Sequence, residues 1–158
     1  MNIQQGYTYH IKDEFFNLVQ DNSLMSNREN GNYRPNFYAI ADNQEPDIFW
    51  LIPISSQVTK FSDILAKKIE KFNKCYTIVI GLFGGDERAF LIQNAFPITK
   101  DYLDHVHTVQ GNPVTVHTDL DKLLKRNLRT TLALHKKGIK LIFSDIDRIY
   151  ELMKSSLK

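Results

Sequence analysis

The stretch from Arg34 to Lys60 most constrains how this 158-residue chain can fold. Phe49-Trp50-Leu51-Ile52-Pro53-Ile54 is an apolar run broken only by Pro53, and it ends abruptly in two hydroxyls, Ser55 and Ser56. Such a run, rich in isoleucine and aromatics, predicts a buried strand. Arg34-Pro35-Asn36 leads into a second strand, Phe37–Ala41, and the link Asp42-Asn43-Gln44-Glu45-Pro46-Asp47 supplies turn chemistry, so the pair predicts a hairpin. Side chains at the end of a buried strand are held rigidly. Arg34 and Lys60 flank the two hydroxyls in sequence. If they also do so in space, the set suits a phosphate, because arginine offers a planar fork of donors and lysine a point charge. The plainer reading is a strand end followed by a helix cap, since a serine hydroxyl accepts from a free backbone N–H. Ser62 is, however, the better cap for the helical pattern that follows.

Along the rest of the chain, Tyr7–Ile11 predicts a first strand and Lys12–Gln20 a short helix. Residues 21–33 form a long polar loop rich in Asn, Ser, Asp and Gly. From Ser62 to Phe72, Ile64, Leu65, Ile69 and Phe72 oppose Lys67, Lys68 and Lys71, the pattern of an amphipathic helix. Tyr76–Leu82 and Arg88–Ile92 make the clearest hairpin, across Gly84-Gly85-Asp86. Val106–Val109 and Val114–Val116 suggest a further short pair around Gly111-Asn112-Pro113. Asp119 reads as the N-cap of a leucine-lined helix that stops near Gly138. Leu141–Phe143 reads as a short strand, and Ser144–Asp147 as a capping box opening a last helix to about Met153. Short strands with inserted and appended helices argue for an α+β fold, a small barrel or curled sheet, in one domain spanning residues 1–158.

Net charge is only +2, but its distribution is uneven. Residues 1–50 hold three basic groups against seven acidic ones; residues 120–140 hold seven basic groups against one acid. That asymmetry points to a polyanionic partner. Lys122, Lys125, Arg126 and Arg129 share one helix face opposite the leucines, with Lys136 and Lys137 beyond them. The stripe reads as free of acids and hence of ion pairs, so it predicts a track for a phosphate backbone, the alternative being a solvated face. In the polar loop Tyr33 is a candidate for stacking on a base, whereas Phe37 reads as core. Tyr9 and His10 alternate on a strand, which predicts one buried and one exposed. An exposed histidine could move a proton in 2′-hydroxyl chemistry.

Several function classes fall away. One cysteine, Cys75, permits no intramolecular disulfide and fits a reducing cytoplasm. There is no Cys/His quartet for zinc. His105-Val106-His107 face one side of a strand, but no third ligand stands at a suggestive spacing unless His117 folds back, so they read as separate surface histidines, and neither metal nor cofactor is expected. The glycines from Gly81 to Gly85 lack the Gly-Lys-Ser/Thr of a nucleotide-phosphate loop. No histidine accompanies Cys75 as a nucleophile's base. No signal-like segment or bilayer-length apolar run is present, so a cytoplasmic location is expected and no membrane partner.

Four stretches together resemble the toxins of type III toxin–antitoxin systems, the ToxN/AbiQ/CptN group, with the CptN-like subgroup nearest. They are Tyr7-Thr8-Tyr9-His10-Ile11-Lys12 with its helix, Arg34-Pro35-Asn36-Phe37, Ile52-Pro53-Ile54-Ser55-Ser56 with Lys60 downstream, and a C-terminal half containing Leu91-Ile92-Gln93-Asn94-Ala95-Phe96-Pro97, the basic helix and Lys137-Gly138-Ile139. The resemblance implies a small SH3-like β-barrel, of the kind shared by ToxN and MazF, decorated with helices. It implies a sequence-selective, metal-independent endoribonuclease that leaves a 2′,3′-cyclic phosphate. Its partners would be cellular RNA, not DNA, and a repetitive RNA antitoxin, processed into pseudoknot units that close with the toxin into a ring. Carried onto this chain, Ser55 and Ser56 would hold the scissile phosphate. Lys60 and Arg34 would stabilise its charge, Lys12 more weakly, and His10 or Tyr9 would serve as acid or base. Relatives like ToxN tend to carry a lysine near Arg34-Pro35-Asn36. An arginine stays protonated, so here the proton acceptor must be found elsewhere. The rival classes are a non-catalytic RNA-binding protein and a small domain that binds a protein or metabolite.

Overall fold

The computed structural model describes residues 3–157. In chain order the elements are β1 (Thr8–Ile11), α1 (Asp13–Val19), β2 (Arg28–Glu29), β3 (Asn32–Tyr33), β4 (Asn36–Ala41), β5 (Ile48–Ser55), α2 (Val58–Phe72), β6 (Ile78–Phe83), β7 (Asp86–Leu91), β8 (Phe96–Thr99), β9 (Leu103–Val106), β10 (Thr108–Val109), β11 (Asn112–Pro113), α3 (Thr118–Lys136) and α4 (Ile146–Ser156).

The apolar run at 49–54 becomes the hub of the molecule. One edge of β5 pairs with β4 along most of its length. Its other edge is shared: Ile48–Leu51 pair with β8, and Ile54 and Ser55 pair with β7. Pro53 stands at the changeover. The N–H of Ile54 bonds Pro35 on the β4 side, so that of residue 53 would point to the opposite edge, between β8 and β7. A missing donor costs nothing there, which explains a proline inside a buried strand. Every ladder is antiparallel, and the order is β6-β7-β5-β4-β1-β9 with β8 beside β5. Among the described residues no ladder joins β9 back to β6. The sheet is open, and the small SH3-like β-barrel implied by the resemblance is not seen as a closed barrel among the described residues.

Both faces of β5 are covered, hence its unbroken hydrophobicity. Trp50, Ile52 and Ile54 pack with Phe37, Phe90, Leu124 and Leu128 beneath α3. Leu51 and Phe49 pack with Tyr9, Phe15, Phe96, Ile149 and Met153 beneath α1 and α4. A smaller cluster of Phe61, Ile78, Ala89 and Leu91 seats α2. Burying side chains of this size contributes about 1.5–3 kcal/mol each, which is what holds the layers together.

The β4–β5 and β6–β7 hairpins match the sequence reading, the latter turning through Gly84 and Gly85 at φ 62° and 89°. Other expectations are corrected. The α2 helix begins at Val58 behind Gln57, not at Ser62, because Phe61 already serves as a buried anchor in its first turn. The cap of α3 is His117, whose ring accepts from the Asp119 N–H, and that of α4 is Asp145, which accepts from Arg148. The polar loop contains the β2–β3 hairpin. Leu141–Phe143 and Val114–Val116 are not strands, and β8 and β9 were not foreseen.

Candidate active site

The end of β5 opens into a cleft of about 650 Å³. Its walls come from the β2–β3 hairpin, the turn of β6–β7, the end of β9 and the β10–β11 hairpin. His10, Glu29, Tyr33, Arg34, Ser56 and Arg88 reach it, together with His105 and His107.

One side of the cleft is built on Ser55 and Ser56. The Ser55 hydroxyl donates to Glu29 Oε2 at 2.6 Å; the Ser56 hydroxyl and N–H donate to Glu29 Oε1 at 2.5 and 2.8 Å. Arg34 Nη1 donates to Glu29 Oε2 and to the Ile54 carbonyl, both at 3.0 Å, and Nε donates to Ser26 O at 2.9 Å. Burial alone would raise the Glu29 pKa. The serine hydrogen bonds and then the Arg34 charge more than reverse that and hold it at about 2. Arg34 is only 4% exposed and its fork is committed to protein partners. The expectation of a free phosphate-gripping arginine is corrected accordingly. Glu29 was missed altogether, because a lone glutamate in a polar loop carries no pattern.

The other side is a histidine cluster. His10 faces His105 directly across the β1–β9 ladder. Their rings stack with centroids 4.4 Å apart. His10 Nε2 lies 2.8 Å from His107 Nδ1. One proton bridges that pair, and two would repel. Burial first, then the neighbouring His105 and His107, lower the His10 pKa to about 4. Burial and His105 lower that of His107 as well. Both rings are therefore neutral near pH 7 and able to accept a proton. The Nδ1 atom of His10 is buried without a hydrogen-bond partner. The reading of His105 and His107 as separate surface residues is corrected: strand pairing gathers all three. Among the described residues no group of three or more His, Cys, Asp or Glu is arranged to hold a metal ion.

Tyr9 and His10 are both buried, not one in and one out, because β1 is covered on both faces. The Tyr9 hydroxyl accepts from the Gln4 N–H at 2.8 Å, and its ring belongs to the core. Burial raises its pKa, which makes it a poor acid or base at this site. Lys60 is exposed in the first turn of α2, with Nζ 5.2 Å from the centre of the Phe61 ring, outside the cleft lining. Lys12 is half-buried as the N-cap residue of α1. Tyr33 stands on the cleft wall beneath the Arg28 guanidinium, which lies 4.4 Å from its ring centre.

The basic helix begins beside this cleft. Leu120 packs on Gly81 of β6 so closely that a Cβ there would lie 2.6 Å from its side chain. From that contact α3 runs a further length of about 25 Å. Lys122, Arg126, Arg129, Lys136 and Lys137 are exposed. The expectation of a stripe free of acids and ion pairs is corrected: Lys125 pairs with Asp121 at 2.8 Å, an i,i+4 bridge. Arg129 and Lys136 border a second depression, with Trp50, Asp42 and Tyr150. No helix among the described residues is long and apolar enough to cross a membrane.

No family model and no curated protein sequence matches the chain. Twelve chains of solved structures match in three dimensions. One is AbiQ, a lactococcal anti-phage endoribonuclease belonging to the type III toxin–antitoxin system, with a TM-score of 0.73 at 11% identity, covering 98% of this chain and 100% of AbiQ. The chain therefore has the AbiQ fold over its whole length, and at this identity the likeness is one of fold.

Proposed function

We propose that this protein is the endoribonuclease toxin of a type III toxin–antitoxin system, inhibited by a repetitive RNA antitoxin. The observation that carries the reading is the cleft, where anion-binding donors, neutral histidines and an aromatic side chain meet on a fold shared from end to end with AbiQ. In the reaction we infer, the substrate's 2′-oxygen bonds to the adjacent phosphorus and the bond to the 5′-oxygen breaks. A 2′,3′-cyclic phosphate and a 5′-hydroxyl remain. The 2′-hydroxyl proton passes to His107, the more accessible member of the pair, and His10 positions its ring. Either His107 or the stacked His105 returns a proton to the leaving 5′-oxygen. Ser56 and Ser55 bind the phosphoryl oxygens, joined by Arg34 once Glu29 gives way, with Lys60 added as an exposed cation of α2. Side chains thus meet each demand of the step, the basis for proposing a metal-independent reaction. Tyr33 stacks on a base, and the basic face of α3, with Lys12, Lys136 and Lys137, follows the RNA backbone.

We further infer that the toxin processes its antitoxin into pseudoknot units, closes with them into a ring and acts in the cytoplasm on cellular RNA. The test is cleavage of RNA in excess EDTA. Wild type is expected to cut, while Ser56→Ala and Lys60→Ala lose cutting and keep RNA binding. If both variants cut at the wild-type rate, these roles are wrong. If chelation abolishes cutting and a divalent ion restores it, the metal-independent scheme fails.

A further inference from the structure

The serine hydroxyls at the end of β5 are not free: both are already bonded to an anion. Four donors converge on the two oxygens of Glu29: the hydroxyls of Ser55 and Ser56, the Ser56 N–H and Arg34 Nη1, at 2.5–3.0 Å. The same set would hold two non-bridging oxygens of a phosphodiester. It also lies beside the N-terminus of α2, whose first turn contains no acid and whose Gln57 makes no side-chain cap. The positive end of a 15-residue helix thus draws its counter-charge from a distant segment.

That segment is a small hairpin with contacts of its own. Glu29 sits on the two-residue strand β2, paired with β3 through a turn at Asn30 and Gly31 with φ of 53° and 82°. Arg28 stacks over Tyr33 and donates to its hydroxyl at 2.9 Å, so the hairpin carries its own cross-strand contact. At its base the Arg34 N–H bonds the Asn27 carbonyl. The carboxylate can leave the donors while the hairpin keeps its shape.

We propose that Glu29 is a tethered stand-in for phosphate: in the free protein it fills an oxyanion subsite formed by Ser55, Ser56 and Arg34, and an incoming phosphodiester must displace it. The inference rests on the ribonuclease reading for the identity of the natural anion, whereas the subsite rests on the donor geometry. A short substrate would have to open the site unaided. A long RNA held along α3 could use its remote binding energy to expel the carboxylate.

The experiment titrates inorganic phosphate, and separately a non-cleavable 2′-deoxydinucleotide, into the full chain by calorimetry, with thermal unfolding recorded for each variant. Glu29→Gln and Glu29→Ala are expected to bind both probes about tenfold or more tighter than wild type. Adding Ser56→Ala to Glu29→Ala is expected to remove the gain. Glu29→Gln keeps the shape of the side chain and decides the matter if Glu29→Ala fails to unfold cooperatively. Unchanged or weaker binding by a folded Glu29→Gln overturns the proposal, as does a gain that survives Ser56→Ala. Tighter binding without RNA cleavage by any variant keeps the subsite and sinks the ribonuclease reading. Cleavage without tighter binding sinks the stand-in alone.

Discussion

Two sides of one cleft solve opposite electrostatic problems. Around Glu29 a half-buried charge is fully answered: three serine donors and an arginine meet one carboxylate, which stays ionised down to about pH 2. Around His10 three imidazoles crowd together with no carboxylate in direct contact with His10, and charge is driven out, its pKa falling to about 4. Acids elsewhere bond to the cluster's edge only: Asp104 lies 3.4 Å from His105. The first side is a place where an anion rests; the second keeps its imidazoles neutral, with a lone pair available to a proton. Their adjacency is what phosphoryl transfer to a 2′-hydroxyl requires, since phosphate and base must be within reach of the same nucleotide.

The largest expected effect separates the two sides by chemistry. His107→Ala removes the proposed proton acceptor, and RNA cleavage is expected to fall about 10²–10⁴-fold while RNA affinity stays within about twofold. Comparable losses of affinity and cleavage would mean that the histidines bind rather than react. The pH profile of stability separates the sides next. His10 is neutral in the folded protein and takes up a proton near pH 6.5 when unfolded, so the unfolded chain binds more protons between the two values. Stability is therefore complete above pH 6.5 and is lost, by up to about 3 kcal/mol, as pH falls to about 4. The Glu29 contribution, present above pH 4.5, is lost only on falling from there toward 2. Urea unfolding across pH should show two windows, the upper one clearly smaller in His10→Gln. A single window below pH 4.5 in wild type would break the contrast.

The smallest effect concerns the track leading to the cleft. Arg126 is exposed, whereas Lys125 is already neutralised by Asp121. Arg126→Ala is expected to lower the salt dependence of RNA binding by about one phosphate contact, and Lys125→Ala by markedly less. Equal slopes for the two variants would show that the ion pair opens on binding.

What could be read from the amino-acid order follows the same division. Arg34, Ser55 and Ser56 lie within 23 positions of one another, and the turn chemistry that pairs β4 with β5 is local, so that half of the site was visible in advance. The histidine cluster depends on β1 meeting β9 across some 95 positions, a pairing that no local pattern announces. Glu29 was hidden for another reason: its importance lies in which donors close on it, and a two-residue strand leaves no periodicity. The helix starts were misplaced because serine and aspartate preferences are weaker than the pull of a buried anchor such as Phe61. The expected small barrel is not seen closed among the described residues, and element order is silent on a ladder between the sheet's two ends.

The central claim is that this cleft cuts RNA through the substrate's own 2′-hydroxyl. The direct measurement is to incubate the purified, RNA-free protein with mixed cellular RNA in EDTA and determine the chemistry of the new ends. The account expects defined cuts bearing 2′,3′-cyclic phosphate and 5′-hydroxyl ends, abolished by His107→Ala. Ends bearing 5′-phosphate, or intact RNA despite tight binding, would contradict it.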